Sequence, residues 1–508
     1  MKPRLILRAD GNERIGLGHV MRLVAVVRLL GLTTGSWFLI RSPKPAIIAR
    51  LEALGLRVVS VPEAVPIAAE PAWLTAQLAT DKFEPHPTVI LDGYHFNASY
   101  QRALGAAEWP LIYLDDLHQG FQWADVVLNH AGSVSRMDYF AGPATTFGLG
   151  PAWALMQPEF QALPARAKKS ELLLQAPRWF LNMGGADPYN HTLRLLSEVR
   201  AHYPSLILEV VTGAAYPHDR EVLRTNGGAQ TNLHHDLPAP ALAALLAQCT
   251  GFICPPSSIS YECAAAGGLL LLYPTADNQR GLYDFLISNG LALPYAHLLE
   301  LPPETWSEQA AALAVLQRAV FDGRTAERLT RRVQELEVAY SLGARRATAA
   351  DSSLYFEWVN EPLVRAQALR SESIAWEDHA RWFSSRLSDT DTHLYILTAP
   401  GAPTEAIGQV RVEFDDENQG LIDYSLAPAW RGRGFGTALL RRTLRRLRFD
   451  RPGAWSLLAY VRETNVASSR VFERLGFERG APLTLHGARC EAYFAHAPAP
   501  DGVLSTVL

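Results

Sequence analysis

Gly16-Leu17-Gly18-His19-Val20-Met21-Arg22 decides how this chain is read. The stretch follows an apolar run, Leu5-Ile6-Leu7 into Ala9, and precedes an apolar-periodic segment from Met21 to Leu30. Strand, glycine turn and helix are the opening of a βα unit. Glycines at such a turn let a ligand approach the backbone, and the free N–H groups of the following helix favour an anion such as a phosphate. His19 stands at the positive end of that helix, which disfavours the imidazolium. A neutral imidazole at pH 7 can accept a proton, as a general base acting on water must. A dinucleotide-type turn with an incidental histidine is the competing reading, because a glycine turn alone is weak evidence.

Outward from this turn, strand-like and helical runs alternate to about residue 160. Apolar segments at Leu5, Trp37-Phe38-Leu39-Ile40, Val58-Val59, Thr88-Val89-Ile90-Leu91 and Leu111-Ile112-Tyr113-Leu114 are short and poorly alternating. Strands buried on both faces read this way, which predicts a doubly wound parallel sheet. Ligands bind such sheets beyond the carboxyl ends of the strands, where Asp92-Gly93-Tyr94 and Asp115-Asp116 fall. Acidic residues there serve equally well as helix caps. A second α/β lobe is expected after the polar stretch Pro164 to Ser170. It carries a strand and glycine turn at Trp179 to Pro188, a strand at Gly251 to Cys254 leading to Ser257-Ser258 and Glu262, and Thr275-Ala276-Asp277-Asn278-Gln279 after Leu269 to Tyr273. Ser257 and Ser258 can cap a helix or bind phosphate, and Glu262 can favour the helix start or accept from two ribose hydroxyls.

Residues 343 to 497 carry a different signature. An alternating strand, Leu421 to Leu426, precedes Arg431-Gly432-Arg433-Gly434-Phe435-Gly436 and a helix from Thr437 to Arg448. Successive glycines at a helix start expose backbone N–H groups as a cradle for a pyrophosphate. Arg441, Arg442, Arg445 and Arg446 lie on neighbouring faces of that helix, and a solvated basic face is favoured over contact with a phosphate.

Three motifs in the first 338 residues resemble the UDP-sugar hydrolases of pseudaminic acid biosynthesis, which remove UDP from UDP-2,4-diacetamido-2,4,6-trideoxy-β-L-altropyranose. They are Arg8-Ala9-Asp10-Gly11 with Ile15 to Arg22, Asp115-Asp116-Leu117 with Leu149-Gly150-Pro151, and Asp277-Asn278-Gln279. The resemblance implies two Rossmann-like lobes of glycosyltransferase B type, over 1–164 and 165–340. It implies His19, Tyr94 and Asn278 as catalytic residues that activate and hold water. Gly16, Gly18, Arg22, Gly184, Gly185, Ser257, Ser258, Glu262 and Gln279 are implied to bind the UDP-sugar. Departures are Gln157, where arginine is expected, and Pro255-Pro256, where glycines are.

The glycine cradle together with Asn465-Val466-Ala467-Ser468 and Phe472 to Phe477 resembles the GCN5-related N-acetyltransferases, α+β domains whose co-substrate is acetyl-CoA. The resemblance implies Leu426, Arg431, Gly432, Arg433, Gly434, Gly436, Thr437 and Asn465 as acetyl-CoA contacts. It also places Phe472 where the family often has a proton-donating tyrosine, leaving Asp423, Tyr424 and Tyr460 as candidates for proton handling. Trp358 to Pro362, with His379 to Phe383, resembles acetyltransferases acting on the 4-amino group of UDP-linked amino sugars. The whole chain thus reads as a bifunctional enzyme, against a glycosyltransferase or a non-catalytic UDP-sugar sensor fused to an acetyltransferase.

Composition sets outer bounds. At 508 residues the chain exceeds one core, and about three units are expected. A net charge of -4 gives no pull toward nucleic acid or an anionic membrane, and no run of about 18 apolar residues suggests a span. Four cysteines without metal-like spacing and an N-terminus without a signal pattern predict a cytoplasmic chain with free thiols and no bound metal. Its expected partners are small molecules, UDP-amino sugars and acetyl-CoA, and other enzymes of the same pathway. The third unit, entered without a long linker, is expected to pack on the second lobe.

Overall fold

The computed structural model of the chain describes residues 4–11, 17–78, 87–163 and 177–499. Gly16 and the expected lobe boundary at 164/165 lie outside the described residues. The five apolar segments of the N-terminal half are strands β1 (Leu5–Ala9), β2 (Trp37–Arg41), β3 (Arg57–Val61), β4 (Thr88–Asp92) and β5 (Leu111–Leu114), joined by β6 (Val126–Asn129) and β7 (Thr146–Leu149). All pair in parallel, in the order β3-β2-β1-β4-β5-β6-β7. Every residue of β1 and β4 is buried, as the unbroken apolar runs require for strands covered on both faces. The strand order reverses between β1 and β4, so the crevice above that pair is where such a sheet takes a ligand. Helix α1 (Gly18–Leu29) starts there, directly after the described part of the glycine turn.

A second parallel sheet contains β8 (Arg178–Leu181), β9 (Ile207–Thr212), β10 (Thr231–His235), β11 (Gly251–Cys254), β12 (Leu269–Leu272) and β13 (Leu293–Pro294), in the order β10-β9-β8-β11-β12-β13. Helix α2 (His191–His202) follows β8 and helix α3 (Ser258–Ala266) follows β11. Helix α4 (Thr325–Ser341) does not close this second lobe, as its position in sequence suggests. Its apolar stripe, Leu329, Val333, Leu336 and Ala339, joins the core formed by β1 and α1. The Thr325 hydroxyl and the Arg328 guanidinium bond the Ala152 carbonyl at 3.2 and 2.9 Å. An amphipathic stripe seeks an apolar surface, and α1 supplies one.

The third sheet is mixed: β14 (Gly343–Arg346), β15 (Thr392–Ala399), β16 (Ala402–Phe414), β17 (Gln419–Leu426), β18 (Trp455–Arg462), β19 (Glu478–Leu485) and β20 (Ala488–Ala497) run in the order β14-β15-β16-β17-β18-β20-β19. Helix α5 (Phe435–Asp450) connects β17 to β18, its parallel neighbour, and α6 (Val466–Arg474) follows β18. Among the described residues no helix is long and apolar enough to cross a membrane.

Among the described residues this third unit rests on the first lobe and on α4, the last helix of the expected second lobe, and the arginines of α5 are the reason. Arg446 keeps the solvated position expected of it, exposed and 3.2 Å from Asp450, but the other arginines are turned toward the first lobe and α4. Arg445 is buried and bonds Asp125 at 2.5 Å and the Trp109 carbonyl at 3.1 Å. Arg448 lies 3.8 Å over the Phe121 ring, Arg442 pairs with Glu108, and Arg441 reaches Glu335 at 3.4 Å. Positions 441, 445 and 448 form one stripe at helical spacing. Gly142 fits beneath it because a Cβ there would overlap the Arg448 guanidinium. Arg445→Ala leaves the buried Asp125 carboxylate without its counterion. The expected cost is roughly 3 kcal/mol, the scale for breaking a buried ion pair from one side. Lower chemical-denaturation stability and new protease cleavage between the units check it; unchanged stability would show that the pair contributes nothing.

Candidate functional site

The register of the first sheet sets three strand ends abreast, with Ala9 opposite Asp92 and Asp92 opposite Leu114. His19, in the first turn of α1, meets this edge from below, and its Nδ1 lies 2.6 Å from Asp92 Oδ1. Asp92 is fully buried. A carboxylate can only accept, so a proton on Nδ1 serves this contact, and Arg22 Nη2 lies 3.0 Å from the same nitrogen. The sequence leaves Asp92 as a ligand contact or a cap; in the fold it orients His19. Arg22 donates to the same carboxylate from Nε at 2.9 Å and Nη2 at 2.6 Å, and to Asp116 from Nη1 at 2.8 Å. Its guanidinium is therefore held by two converging carboxylates. Asp115 is the cap of the pair, accepting from the Leu117 and His118 amides at 3.1 and 3.0 Å.

Tyr94 stands edge-on to the His19 ring with centroids 4.8 Å apart, and it is 58% exposed. Burial of part of the ring and the nearby Asp116 charge push its hydroxyl up, so it stays protonated. Gly18 has open space around it. Arg8 fixes the end of β1 from beneath by bonding Glu70 at 2.5 Å.

Across the crevice, the second lobe presents two helix starts that differ. At α2 the first N–H groups, of His191 and Thr192, are taken by the Asp187 carboxylate at 2.8 Å each. Gly184 (φ +91°) and Gly185 keep open space in the preceding loop, which Asn182 braces through the Gly184 amide at 2.9 Å. At α3 the start is uncommitted: Ser257 is the N-cap residue without a side-chain bond, and the Ser258 side chain is exposed. The turn into α3 closes through Pro255, whose carbonyl accepts from the Ser257 amide at 2.9 Å, without the expected glycines. Glu262, one turn on, is half-buried and makes no hydrogen bond to the described residues, and burial pushes its carboxyl up to about 8. The preceding Tyr261 reaches the first lobe, its hydroxyl donating to the His130 carbonyl at 2.8 Å.

Asn278 and Gln279 stand together on the short turn Asp277–Gln279 that follows β12. Gln279 closes its own turn, accepting from the Thr275 amide at 2.8 Å and donating to the Thr275 hydroxyl at 3.1 Å. Asn278 is exposed, and no hydrogen bond joins it to His19 or Tyr94. Gln157, at the position where arginine is expected, accepts from Arg28 at 2.6 Å.

In the third unit, β17 and β18 pair only from Gln419 to Leu421 opposite Ser456 to Leu458. Both strands then run on without pairing to each other, as far as Leu426 and Arg462, which leaves a wedge with free backbone groups along its edge. The wedge leads to Gly432 (φ +69°) and Gly434 (φ +84°), conformations that side chains resist, with nothing within 4 Å of either missing Cβ. Gly434 caps α5, and Gly436 and Thr437 stand in its first turn, so open amides converge there. Arg431 is turned inward, bonding the Leu426 carbonyl and Glu361 at 2.9 Å each. Arg433 lies over Trp430, 4.9 Å from its centroid. Asn465 caps α6 by accepting from the Ser468 amide at 3.2 Å. Arg431 and Asn465 thus shape the wedge and spend their side chains on the protein.

Phe472 is buried, stacked on Tyr493 at 5.6 Å and edge-on to Phe477 at 5.0 Å. The Tyr424 hydroxyl, on β17, is 3.2 Å from Ser468 Oγ and pushed up to about 12 by burial. Asp423 points to Arg411 at 3.8 Å instead.

Residues 341–478 match the family described as an acetyltransferase (GNAT) domain. The third unit is such a domain, and acetyl-CoA is its co-substrate. Over its length the chain is similar to the uncharacterized protein MJ1062 of Methanocaldococcus jannaschii, 20% identical over 491 residues, 94% of this chain and 97% of that protein. Among solved structures it is similar to a spermidine N-acetyltransferase from Vibrio cholerae in complex with CoA and spermine, 14% identical, covering 31% of this chain and 94% of that one with a TM-score of 0.27. It is also similar to a domain from Methanocaldococcus jannaschii, 21% identical, covering 30% of this chain and 97% of that one with a TM-score of 0.27.

Proposed function

We propose that the chain is a bifunctional enzyme of nonulosonic (pseudaminic) acid biosynthesis. Its first two lobes hydrolyse UDP-2,4-diacetamido-2,4,6-trideoxy-β-L-altropyranose to free sugar and UDP. Its third unit acetylates the 4-amino group of a UDP-4-amino-4,6-dideoxy sugar, a substrate two steps of sugar chemistry earlier. The observation that carries the hydrolase reading is the buried Asp92 that holds His19 through Nδ1, beside Tyr94, at the switch point of the first sheet. An imidazole so held accepts a proton from water as the water attacks the anomeric carbon, and Asp92 stabilises the imidazolium that forms. The bond that breaks is the one between the anomeric carbon and the diphosphate oxygen. The free α3 start, with Ser257 and Ser258, suits the negative charge that collects on the leaving UDP. The return of α4 to the first lobe supports a glycosyltransferase B arrangement of the two lobes.

Glu262 is assigned to the uridine ribose, since an unpartnered carboxyl beside the helix start can accept from two vicinal hydroxyls. Glu262→Ala should weaken UDP binding by roughly 1.5–3 kcal/mol, the range for hydrogen bonds to a charged group. The sign of its pH linkage follows from its raised pKa. With its pKa raised by burial the carboxyl takes a proton at pH 7, and hydroxyl donors favour the anion, so binding lowers the pKa and releases a proton. Calorimetry of UDP binding in buffers of different ionisation enthalpy should therefore show proton release between about pH 5 and pH 8. Proton uptake, or no exchange, would remove Glu262 from the ribose.

In the third unit, acetyl-CoA supplies an acetyl group already activated as a thioester. The protein's part is to bind and orient: the amides of 432–437 take the pyrophosphate, and the wedge aligns the rest beside β17. Incubation of the purified chain with the UDP-amino sugars and acetyl-CoA, following product mass and UDP release together, tests both assignments. A sugar transferred to an acceptor in place of water would establish a glycosyltransferase, and binding without turnover a sensor.

A further inference from the structure

His130 was not singled out by its sequence, and it stands in the row that faces the crevice. Leu114 pairs with Leu128 across β5 and β6, so Asp116 and His130 each lie two residues beyond a paired position and come abreast. Asp92 pairs with Leu114 in the same way, which sets Tyr94 in the same row. The His130 ring is close enough to Arg22, Asp116 and Asp92 to feel their charges. On its other side it meets Tyr261 of α3 edge-on, with centroids 5.8 Å apart, and its carbonyl takes the Tyr261 hydroxyl. Neither ring nitrogen has a hydrogen-bond partner among the described residues.

The residue therefore lies between the row that holds His19, proposed as the base at the anomeric carbon, and helix α3, which carries Glu262, proposed as the ribose holder, next to Tyr261. In a UDP-sugar the diphosphate is what separates the anomeric carbon from the ribose. We infer that His130 donates a hydrogen bond from its imidazole to the diphosphate of the UDP-sugar. The inference rests on the hydrolase reading above. Burial and the Arg22 charge push the imidazole down to about 4, so at neutral pH it is a neutral donor beside an anion and leaves the Arg22–Asp116 pair undisturbed. Such a donor stabilises charge as it develops on the departing phosphate oxygen.

His130→Phe keeps a ring against Tyr261 and removes the donor; His130→Gln keeps a donor of similar reach. Calorimetry with UDP and with uridine, on the full-length chain, separates the possibilities. The expected result is UDP binding at least about tenfold weaker in His130→Phe, close to wild type in His130→Gln, and uridine binding equal in all three, the scale of one hydrogen bond to a charged group. Equal UDP affinity in His130→Phe, or uridine weakened as much as UDP, would overturn the inference. Wild-type protein that binds neither ligand would instead overturn the UDP-sugar reading itself. A measurement on unmutated protein stands beside this one: with nitrogen-15 histidine, one imidazole signal should shift on adding UDP and stay unmoved by uridine. No UDP-specific shift in any histidine would also overturn it.

Discussion

His19→Ala is expected to slow UDP release by about 10²–10⁴-fold, the contribution of a positioned general base, while UDP binds with near wild-type affinity. The split follows from geometry. The His19 ring is held from Nδ1 by Asp92, which leaves Nε2 for the water in the proposed reaction. Asp92→Asn should lower turnover in the same direction. Its amide can donate to Nδ1 and so favour the tautomer with the proton on Nε2, where the lone pair is needed. It also leaves Arg22 with Asp116 as its one anionic partner. Measured as kcat against UDP affinity, loss of both in His19→Ala would mean that the histidine binds the nucleotide. Unchanged turnover would remove it from the chemistry.

Gly434→Glu is expected to reduce acetyl transfer below detection, by about 10³-fold or more, and to leave UDP release from an already acetylated sugar unaltered. Three costs coincide at this position. A side chain is strained at φ +84°, it fills space that is open beside the cradle, and its charge repels a pyrophosphate. The cradle belongs to α5, whose opposite face and C-terminal half carry the arginines that dock on the first lobe, so the docking surface is not touched. Loss of hydrolysis in a folded Gly434→Glu chain would show that the two sites are not independent. Phe472→Tyr, by contrast, should change acetylation only mildly. Phe472 is packed among Tyr424, Phe477 and Tyr493, a buried aromatic cluster that holds its ring in place.

Local signals in the sequence were enough for the elements and failed where one element meets another distant in sequence. The first five strands are legible because runs such as Thr88-Val89-Ile90-Leu91 are apolar throughout, and Gly432 and Gly434 because only glycine suits their backbone. Asp92 is ambiguous in one dimension: a strand-end aspartate caps a helix or faces a ligand, and only the fold brings it 2.6 Å from a histidine 73 positions away. The arginines of α5 show the same limit. Their spacing is that of a solvated face, and what they pack on, Asp125, Phe121 and Glu108, lies more than 300 residues earlier. Helix α4 carries a clear apolar stripe, but a stripe does not say which lobe covers it. The α2 start looks as ready for a phosphate as the α3 start until Asp187 is seen to occupy it.

The central claim is that the first two lobes use water, activated by His19, to break the bond between the anomeric carbon and oxygen of a UDP-linked diacetamido sugar. Hydrolysis of UDP-2,4-diacetamido-2,4,6-trideoxy-β-L-altropyranose in oxygen-18 water, followed by mass spectrometry of both products at early times, tests it most directly. The account predicts release of UDP with the label on the freed sugar and none in the UDP. Label in the UDP would mean attack at phosphorus, and no UDP release by the wild-type chain would contradict the account outright.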